Sequence, residues 1–233
     1  MRHIIVKVSE NTKIGVIGDI HEHHEHFFSI VNQFNPTDDR LLVSVGDIFD
    51  KGFGEEKAYD ILDEFISLKD KNKSYLVLGN HDFRQIRKYI RSDKKMPKQI
   101  KWLDQQPFSI SFKWPNGKTL LVLHGGVTPK HTEKDLADSE IMFVRTVSED
   151  GKYLTFSEKQ GTNWHEFYDG RFGYICAGHA AQKDGIPKYY KHSCNVDTSC
   201  YSTGILTCQV FNSSGLDETI YAYGIPSKWP KFD

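Results

Sequence analysis

Five apolar runs in this chain end alike. Val16-Ile17 passes into Gly18-Asp19-Ile20-His21, Leu41–Val45 into Gly46-Asp47-Ile48-Phe49-Asp50, Tyr75–Leu78 into Gly79-Asn80-His81-Asp82, Leu120–Leu123 into His124-Gly125-Gly126, and Tyr174–Ala177 into Gly178-His179. A short apolar run bounded by turn-forming residues reads as a buried strand. A carboxylate or imidazole at the end of such a strand is costly to desolvate unless a cation or a hydrogen-bond partner meets it. The pattern therefore demands a fold that brings several strand ends to one place. Glycine at these ends lets the backbone turn sharply and lets a ligand approach.

The remaining periodicity supplies the elements between those ends. Ile4–Val8 and Lys13–Ile17 read as strands joined by an Asn11-Thr12 turn. Phe27, Ile30, Val31 and Phe34 make His23–Phe34 a helix, and Ile61, Leu62, Phe65 and Leu68 do the same for Ala58–Leu68. Phe83–Ile90 reads as a basic helix. Strand and helix alternate through this half, which argues for parallel α/β units with sites at the strand C-termini. Beyond it, Pro115-Asn116-Gly117 between Phe108–Trp114 and Lys118–Leu123 signals a hairpin. Ser193–Val196, Gly204–Phe211 and Thr219–Tyr223 are further strands. Thr128–Arg171 is weakly patterned and reads as an excursion over the site. No linker, repeat or low-complexity tract interrupts residues 1–233, which are read as one domain.

Composition narrows the partners. With 30 basic and 31 acidic side chains the net charge is -1, so no bulk basicity points to nucleic acid. Cys176, Cys194, Cys200 and Cys208 form no CxxC pair and are too few for a disulfide framework. The opening MRHIIVKVSEN has an apolar stretch shorter than a signal peptide, and no run approaches a membrane span. A cytoplasmic chain is expected.

Asp, His and Asn are oxygen and nitrogen ligands suited to Mn, Fe, Zn and similar ions. Two ions about 3.5–4 Å apart, one carboxylate bridging them, call for a set of this size. In order, GDIH, GDIFDKG, GNHD, HGG and GH resemble the calcineurin-like metallophosphoesterases, and their intervals resemble the phosphoprotein-phosphatase branch with its bacterial and phage relatives. The likeness runs from Gly18 to about Leu206. Asn195–Thr207, NVDTSCYSTGILT, is similar to the stretch that follows the last metal histidine in bacterial members.

The resemblance implies an α/β fold of two mixed β-sheets packed as a sandwich with helices outside. It implies two divalent metal ions, Mn foremost, with Fe, Zn, Ni or Mg as alternatives. Asp19 and His21 would hold the first ion, Asp47 would bridge, and Asn80, His124 and His179 would complete the second. His81 would be the general acid, oriented by Asp50. Lys51 and Arg145 would hold the substrate phosphate. The activity implied is hydrolysis of phosphate monoesters, with a protein serine/threonine phosphatase first. A dinucleoside polyphosphate hydrolase follows, then a nucleic-acid end-processing phosphatase, then a scaffold that kept the fold without the chemistry. The substrate partner is accordingly a phosphorylated protein or a nucleotide.

The chain departs from the family pattern at several positions. Glu22 stands where the family usually has Gly. Lys51 stands where it has Arg, giving a point charge in place of a bidentate fork. Met142-Phe143-Val144-Arg145 lacks the tryptophan that usually precedes the arginine. Gly178-His179-Ala180-Ala181 lacks the second histidine of phosphodiesterase-type members, which favours the phosphatase branch.

Blander readings compete elsewhere. Periodicity puts His23, His24 and His26 on the exposed side of a helix start. The aromatic stretch Trp164–Tyr174 reads as core. Arg84–Lys101 reads as a solvated basic face that could also attract an anionic substrate.

Overall fold

The computed structural model describes residues 2–154 and 161–227. The first half runs β1 (His3–Lys7), β2 (Lys13–Ile17), α1 (His24–Phe34), β3 (Arg40–Ser44), α2 (Glu55–Asp70), β4 (Ser74–Leu76), α3 (Asn80–Ile90) and α4 (Lys98–Leu103). The second half is mainly strand: β5 (Ser109–Lys113), β6 (Thr119–Leu123), β7 (Thr146–Val147), β8 (Tyr153–Leu154) and β9 (Thr162–Asn163), then β10 (Tyr174–Ala177), β11 (Lys188–Tyr189), β12 (Ser193–Asn195), β13 (Ile205–Asn212) and β14 (Gly215–Tyr223). Short helices α5 (Trp164–Phe167) and α6 (Cys200–Thr203) punctuate it, with 3-10 turns at Asp135–Ala137 and Ser139–Met142.

Two mixed sheets form the sandwich the sequence implied. One has the order β14-β13-β2-β3-β4 and the other β1-β5-β6-β10-β12-β11. Strands β2, β3 and β4 are mutually parallel, as are β6, β10 and β12. Ile14, Val16, Val43 and Val77 of the first sheet pack against Ile110, Phe112, Val122 and Cys176 of the second. The opposite face of the first sheet, through Ile17 and Leu42, joins a cluster with Phe27, Ile30 and Phe34 of α1 and with Ile61, Leu62 and Phe65 of α2. Burial on both faces is why β2 and β3 read as continuous rather than alternating apolar runs. Helix α1 stops at Asn35, which takes the left-handed conformation and donates its N–H to Val31 O.

The first two strands and the turn between them stand as read, but β1 pairs with β5 and β2 with β3, so the Ser9–Thr12 turn carries the chain from one sheet to the other. A turn signal is the same whether or not its strands pair; the register of the distant strand decides. Two readings needed correction. Arg84–Lys101 is not simply a solvated face, because Gln85 and Ile86 of α3 and Ile100 of α4 are buried. His23 and His26 are buried rather than exposed. His26 Nε2 donates to Gly204 O, and His23 Nδ1 faces the carbonyls of Ile20 and His21.

The excursion lies across the C-terminal end of β6, where Ile141 O accepts from Gly126 N. It contributes the small sheet β8-β7-β9; residues 155–160 of it lie outside the described chain. Trp164, Tyr168 and Phe172 are buried, as the aromatic stretch suggested. All four cysteines are free and buried. Among the described residues, no helix is long and apolar enough to cross a membrane.

Candidate active site

The parallel strands of both sheets point their C-terminal ends to one edge of the sandwich. Asp19 and His21 follow β2, Asp47 and Asp50 follow β3, and Asn80 and His81 open α3 just beyond β4. His124 and His179 follow β6 and β10 of the other sheet. Glycine makes the convergence sterically possible. A Cβ on Gly79 would sit 2.2 Å from Asp47 Oδ1, and one on Gly178 would sit 2.1 Å from Asp19 Oδ1. Neither carboxylate could keep its place beside any other residue.

The distances describe a close set. His21 Nε2 lies 3.9 Å from Asp19 Oδ2 and 3.7 Å from Asp47 Oδ2. His124 Nε2 lies 3.5 Å from Asp47 Oδ1 and 2.9 Å from Asn80 Oδ1. His179 donates its backbone N–H to Asp19 Oδ1 at 3.1 Å, and its ring lies 4.8 Å from that of His124. Two groups of potential ligand atoms result, His21-Asp47-His81 and Asp19-Asp47-His124, each within 4.8 Å. Asp47 belongs to both.

Second partners settle how the imidazoles are used. His21 Nδ1 donates to Phe49 O and His124 Nδ1 donates to Val45 O, both at 2.9 Å, because a carbonyl can only accept. Burial holds His21 well below the ordinary imidazole range and His124 down to about 3, so both rings are neutral. Each Nε2 is then an acceptor, and that of His21 is also met by the Lys51 ammonium at 3.2 Å. One faces two carboxylates, the other faces a carboxylate and an amide oxygen. Acceptors opposed to acceptors in a buried pocket call for a cation, and a carbonyl-anchored neutral imidazole is the usual form of a metal-ligating histidine. Burial likewise pushes Asp19 and Asp47 upward, with Asp197 and Asp82 respectively adding to the effect. The donor set fits a pair of divalent ions.

His81 is placed differently. Its Nδ1 donates to Asp50 Oδ2 at 2.7 Å, and its backbone N–H donates to Asp47 Oδ1 at 2.9 Å. Hydrogen bonds from His81 and Arg84 hold Asp50 well below the usual carboxylate range, so Asp50 is an anion and an acceptor. Lys51 Nζ reaches His21 Nε2 at 3.2 Å and lies 4.7 Å above the Tyr201 ring. Arg145 Nη2 lies 3.4 Å from His179 Nδ1. Both candidate phosphate cations thus stand against candidate metal ligands.

The profile of the calcineurin-like phosphoesterases matches residues 12–183, a span that holds every candidate metal ligand together with Asp50, Lys51, His81 and Arg145. The chain belongs to the calcineurin-like phosphoesterase family.

Among curated proteins, this phosphoesterase is similar to the symmetrical bis(5'-nucleosyl)-tetraphosphatase of Enterobacter sp. (strain 638), 29% identical over 131 residues, which cover 49% of this chain and 43% of that one. The counterpart in Citrobacter koseri is 28% identical over 141 residues, covering 52% and 47%. The match thus spans less than half the length of these relatives. Among solved structures, one described as a diadenosine tetraphosphatase superposes with a TM-score of 0.75 at 20% identity, over 95% of this chain and 99% of the other. A protein serine/threonine phosphatase of Saccharomyces cerevisiae follows with 0.58 at 16%, over 95% and 84%. At these identities the structures share the fold.

Several residues that shape the phosphoesterase site had no assigned role in the sequence. Asp82 is fully buried and accepts from the backbone N–H groups of Asp47, Ile48, Phe49 and Gly79, tying the β3 loop to the start of α3. Glu22 accepts from the N–H groups of Asp50, Gly52 and Gly54, and so holds the loop that carries Asp50 and Lys51. It does this with φ +64, the left-handed conformation that glycine adopts most easily. Its departure from the family glycine is the sequence signal that could have found it. Asp197 is buried beside Asp19, and Tyr201 packs its ring against His21. Both lie in NVDTSCY, the stretch already singled out by resemblance.

Proposed function

We propose that this phosphoesterase uses two divalent ions to cleave the polyphosphate chain of dinucleoside polyphosphates. The observation that carries the two-ion reading is the convergence of two neutral imidazole acceptors, His21 Nε2 and His124 Nε2, on the oxygens of Asp19, Asp47 and Asn80, with Asp47 common to both. Asp19, His21 and Asp47 would hold one ion; Asp47, Asn80, His124 and His179 the other. When bound, such ions supply a water-derived nucleophile at neutral pH and draw off charge from the phosphoryl group. The chain's own side chains do the rest. Lys51 and Arg145 orient the phosphoryl oxygens and stabilise the charge that gathers on them. His81 hands a proton from Nε2 to the departing oxygen while Asp50, bonded to Nδ1, holds the ring in place.

The nucleotide substrate is supported by the curated relatives, both symmetrical bis(5'-nucleosyl)-tetraphosphatases. The second reading is a protein serine/threonine phosphatase, which the sequence ranked first. Ala181, where phosphodiesterase-type members carry a further histidine, favours the phosphatase branch, to which both readings belong. A panel at fixed Mn²⁺ separates them: diadenosine tetraphosphate, a phosphoserine peptide, p-nitrophenyl phosphate and its bis-ester. The expected order puts diadenosine tetraphosphate above the phosphopeptide in kcat/KM, with the bis-ester weakest. A phosphopeptide turned over faster selects the second reading. No turnover of any of the four by metal-loaded protein leaves only a scaffold.

A further inference from the structure

Helix α3 presents two faces. Asp82, Gln85 and Ile86 are buried, and Gln85 and Tyr89 both donate to Glu55, whose carboxylate Tyr59 also engages. These contacts fix the rotation of the helix. Arg84, Arg87, Lys88 and Arg91 then fall on the opposite, exposed face at the three- and four-residue spacing of one stripe. The stripe begins at the active site. Arg84 Nη2 lies 2.5 Å from Asp50 Oδ2 and 2.6 Å from His81 Nδ1, with 65% of its side chain exposed. It runs outward for about 10 Å, seven residues at a helical rise of ~1.5 Å.

Cations in the last turn of a helix also favour its dipole, which accounts for Arg87 and Lys88 without a ligand. It does not account for Arg84, which lies nearer the N-terminal end, where the dipole disfavours a cation. Arg84 is paired with Asp50, but the rest of the stripe is not neutralised. Among the described residues, no carboxylate lies within 4.0 Å of the cationic groups of Arg87, Lys88 or Arg91. Glu55 is taken up by Tyr59, Gln85 and Tyr89, and Asp50 is shared with His81.

We propose that Arg84 is the leaving-group subsite of this enzyme, holding the phosphate next to the scissile one, with Arg87, Lys88 and Arg91 guiding the rest of the polyanion along α3. The inference rests on the assignment of His81 as proton donor, since the donor marks the side from which the leaving group departs. Arg84 stands beside that donor, on the side of Nδ1. A serine alkoxide would bring no charge there. A nucleoside diphosphate leaving group brings anionic oxygens that a guanidinium fork grips well. The subsite therefore selects phosphoanhydrides over alkyl esters.

The test compares two substrates whose leaving groups are weakly basic but differ in charge: diadenosine tetraphosphate and p-nitrophenyl phosphate. Neither leaving group depends much on a proton, so a mere disturbance of His81 affects both alike. In the Mn²⁺-loaded enzyme, Arg84→Gln is expected to lower kcat/KM for diadenosine tetraphosphate about 10–100-fold, the size of a lost charge-assisted hydrogen bond. It should change p-nitrophenyl phosphate turnover less than about 3-fold, and Arg84→Lys should recover part of the loss. Titration calorimetry of ADP with each protein gives a readout that does not depend on turnover: affinity should fall in Arg84→Gln. The triple variant Arg87→Gln/Lys88→Gln/Arg91→Gln should raise KM for diadenosine tetraphosphate and flatten its salt dependence. Equal losses on both substrates, or unchanged ADP affinity, overturn the subsite. An enzyme that hydrolyses p-nitrophenyl phosphate but no phosphoanhydride overturns it as well, while two-metal hydrolysis stands. Failure on every substrate instead removes the functional reading beneath it.

Discussion

At the scale of single residues, Asp47 and His81 are neighbours with separate duties. Asp47 faces imidazoles from both sheets, whereas His81 spends Nδ1 on Asp50. Asp47→Asn is therefore expected to lose bound metal, while His81→Asn keeps it; elemental analysis of the two variants decides. If the His81 variant loses its ions and the Asp47 variant keeps both, the assigned roles are wrong. At equal metal occupancy, His81→Asn should cut turnover of a phosphoserine peptide by about 10²–10⁴-fold, because an alkoxide needs the donated proton. p-Nitrophenyl phosphate should lose far less.

Asp50 yields a pH prediction at the same scale. Its hydrogen bonds to His81 and Arg84 depress its folded pKa below the value of about 4 expected in the unfolded chain. The stabilisation it provides is thus fully present above that value and is lost as pH falls through the folded pKa. The difference in Tm between the parent and Asp50→Asn should shrink as pH falls below about 4. A difference that widens in acid would contradict the sign.

At the scale of elements, two carboxylates brace the β3 loop. Asp82 serves four buried backbone donors from the N-terminal turn of α3, and Glu22 serves three that are partly open to water. A donor stranded without water costs about 1–3 kcal/mol, and one that water can reach costs less. Asp82→Ala should therefore destabilise more than Glu22→Ala in urea unfolding. Glu22→Ala should in addition raise KM more than it lowers kcat, since the loop it releases carries Lys51. Equal unfolding midpoints for the two variants would show that burial does not set the difference.

At the scale of the whole molecule, the sandwich keeps carboxylates at its edge that repel one another. Asp19, Asp47, Asp82 and Asp197 are all buried, and burial pushes each of them up. Ions that bind the folded state and not the unfolded one stabilise by mass action, by about 2.7 kcal/mol at a hundredfold excess over Kd. Chelation is expected to lower Tm and abolish turnover together, and Mn²⁺ to restore both. Full activity in protein shown by elemental analysis to be metal-free would end the two-ion reading.

What was legible in the sequence and what was not divide along the range of the interactions. Apolar periodicity and the Gly-Asp, Gly-Asn and Gly-His endings are local signals. They sufficed for the α1 and α2 cores, the β5–β6 hairpin, and the names of the residues that meet at the strand ends. A helix or buried strand is patterned by its own neighbours, and a glycine marks a turn wherever the chain goes next. The partner of β1, the burial of His23 and His26, the bracing by Glu22 and Asp82, and the seat of Arg84 beside His81 join residues far apart in the chain, or depend on which face a helix turns inward. Solvent exposure of a polar side chain depends on what packs over it, and α6 with the following Gly204 covers His26 from 178 residues away. Local sequence determined which groups stand at the strand ends. Only the tertiary packing decided which of them come within reach of one another and which brace a loop, because those contacts join groups from distant strands.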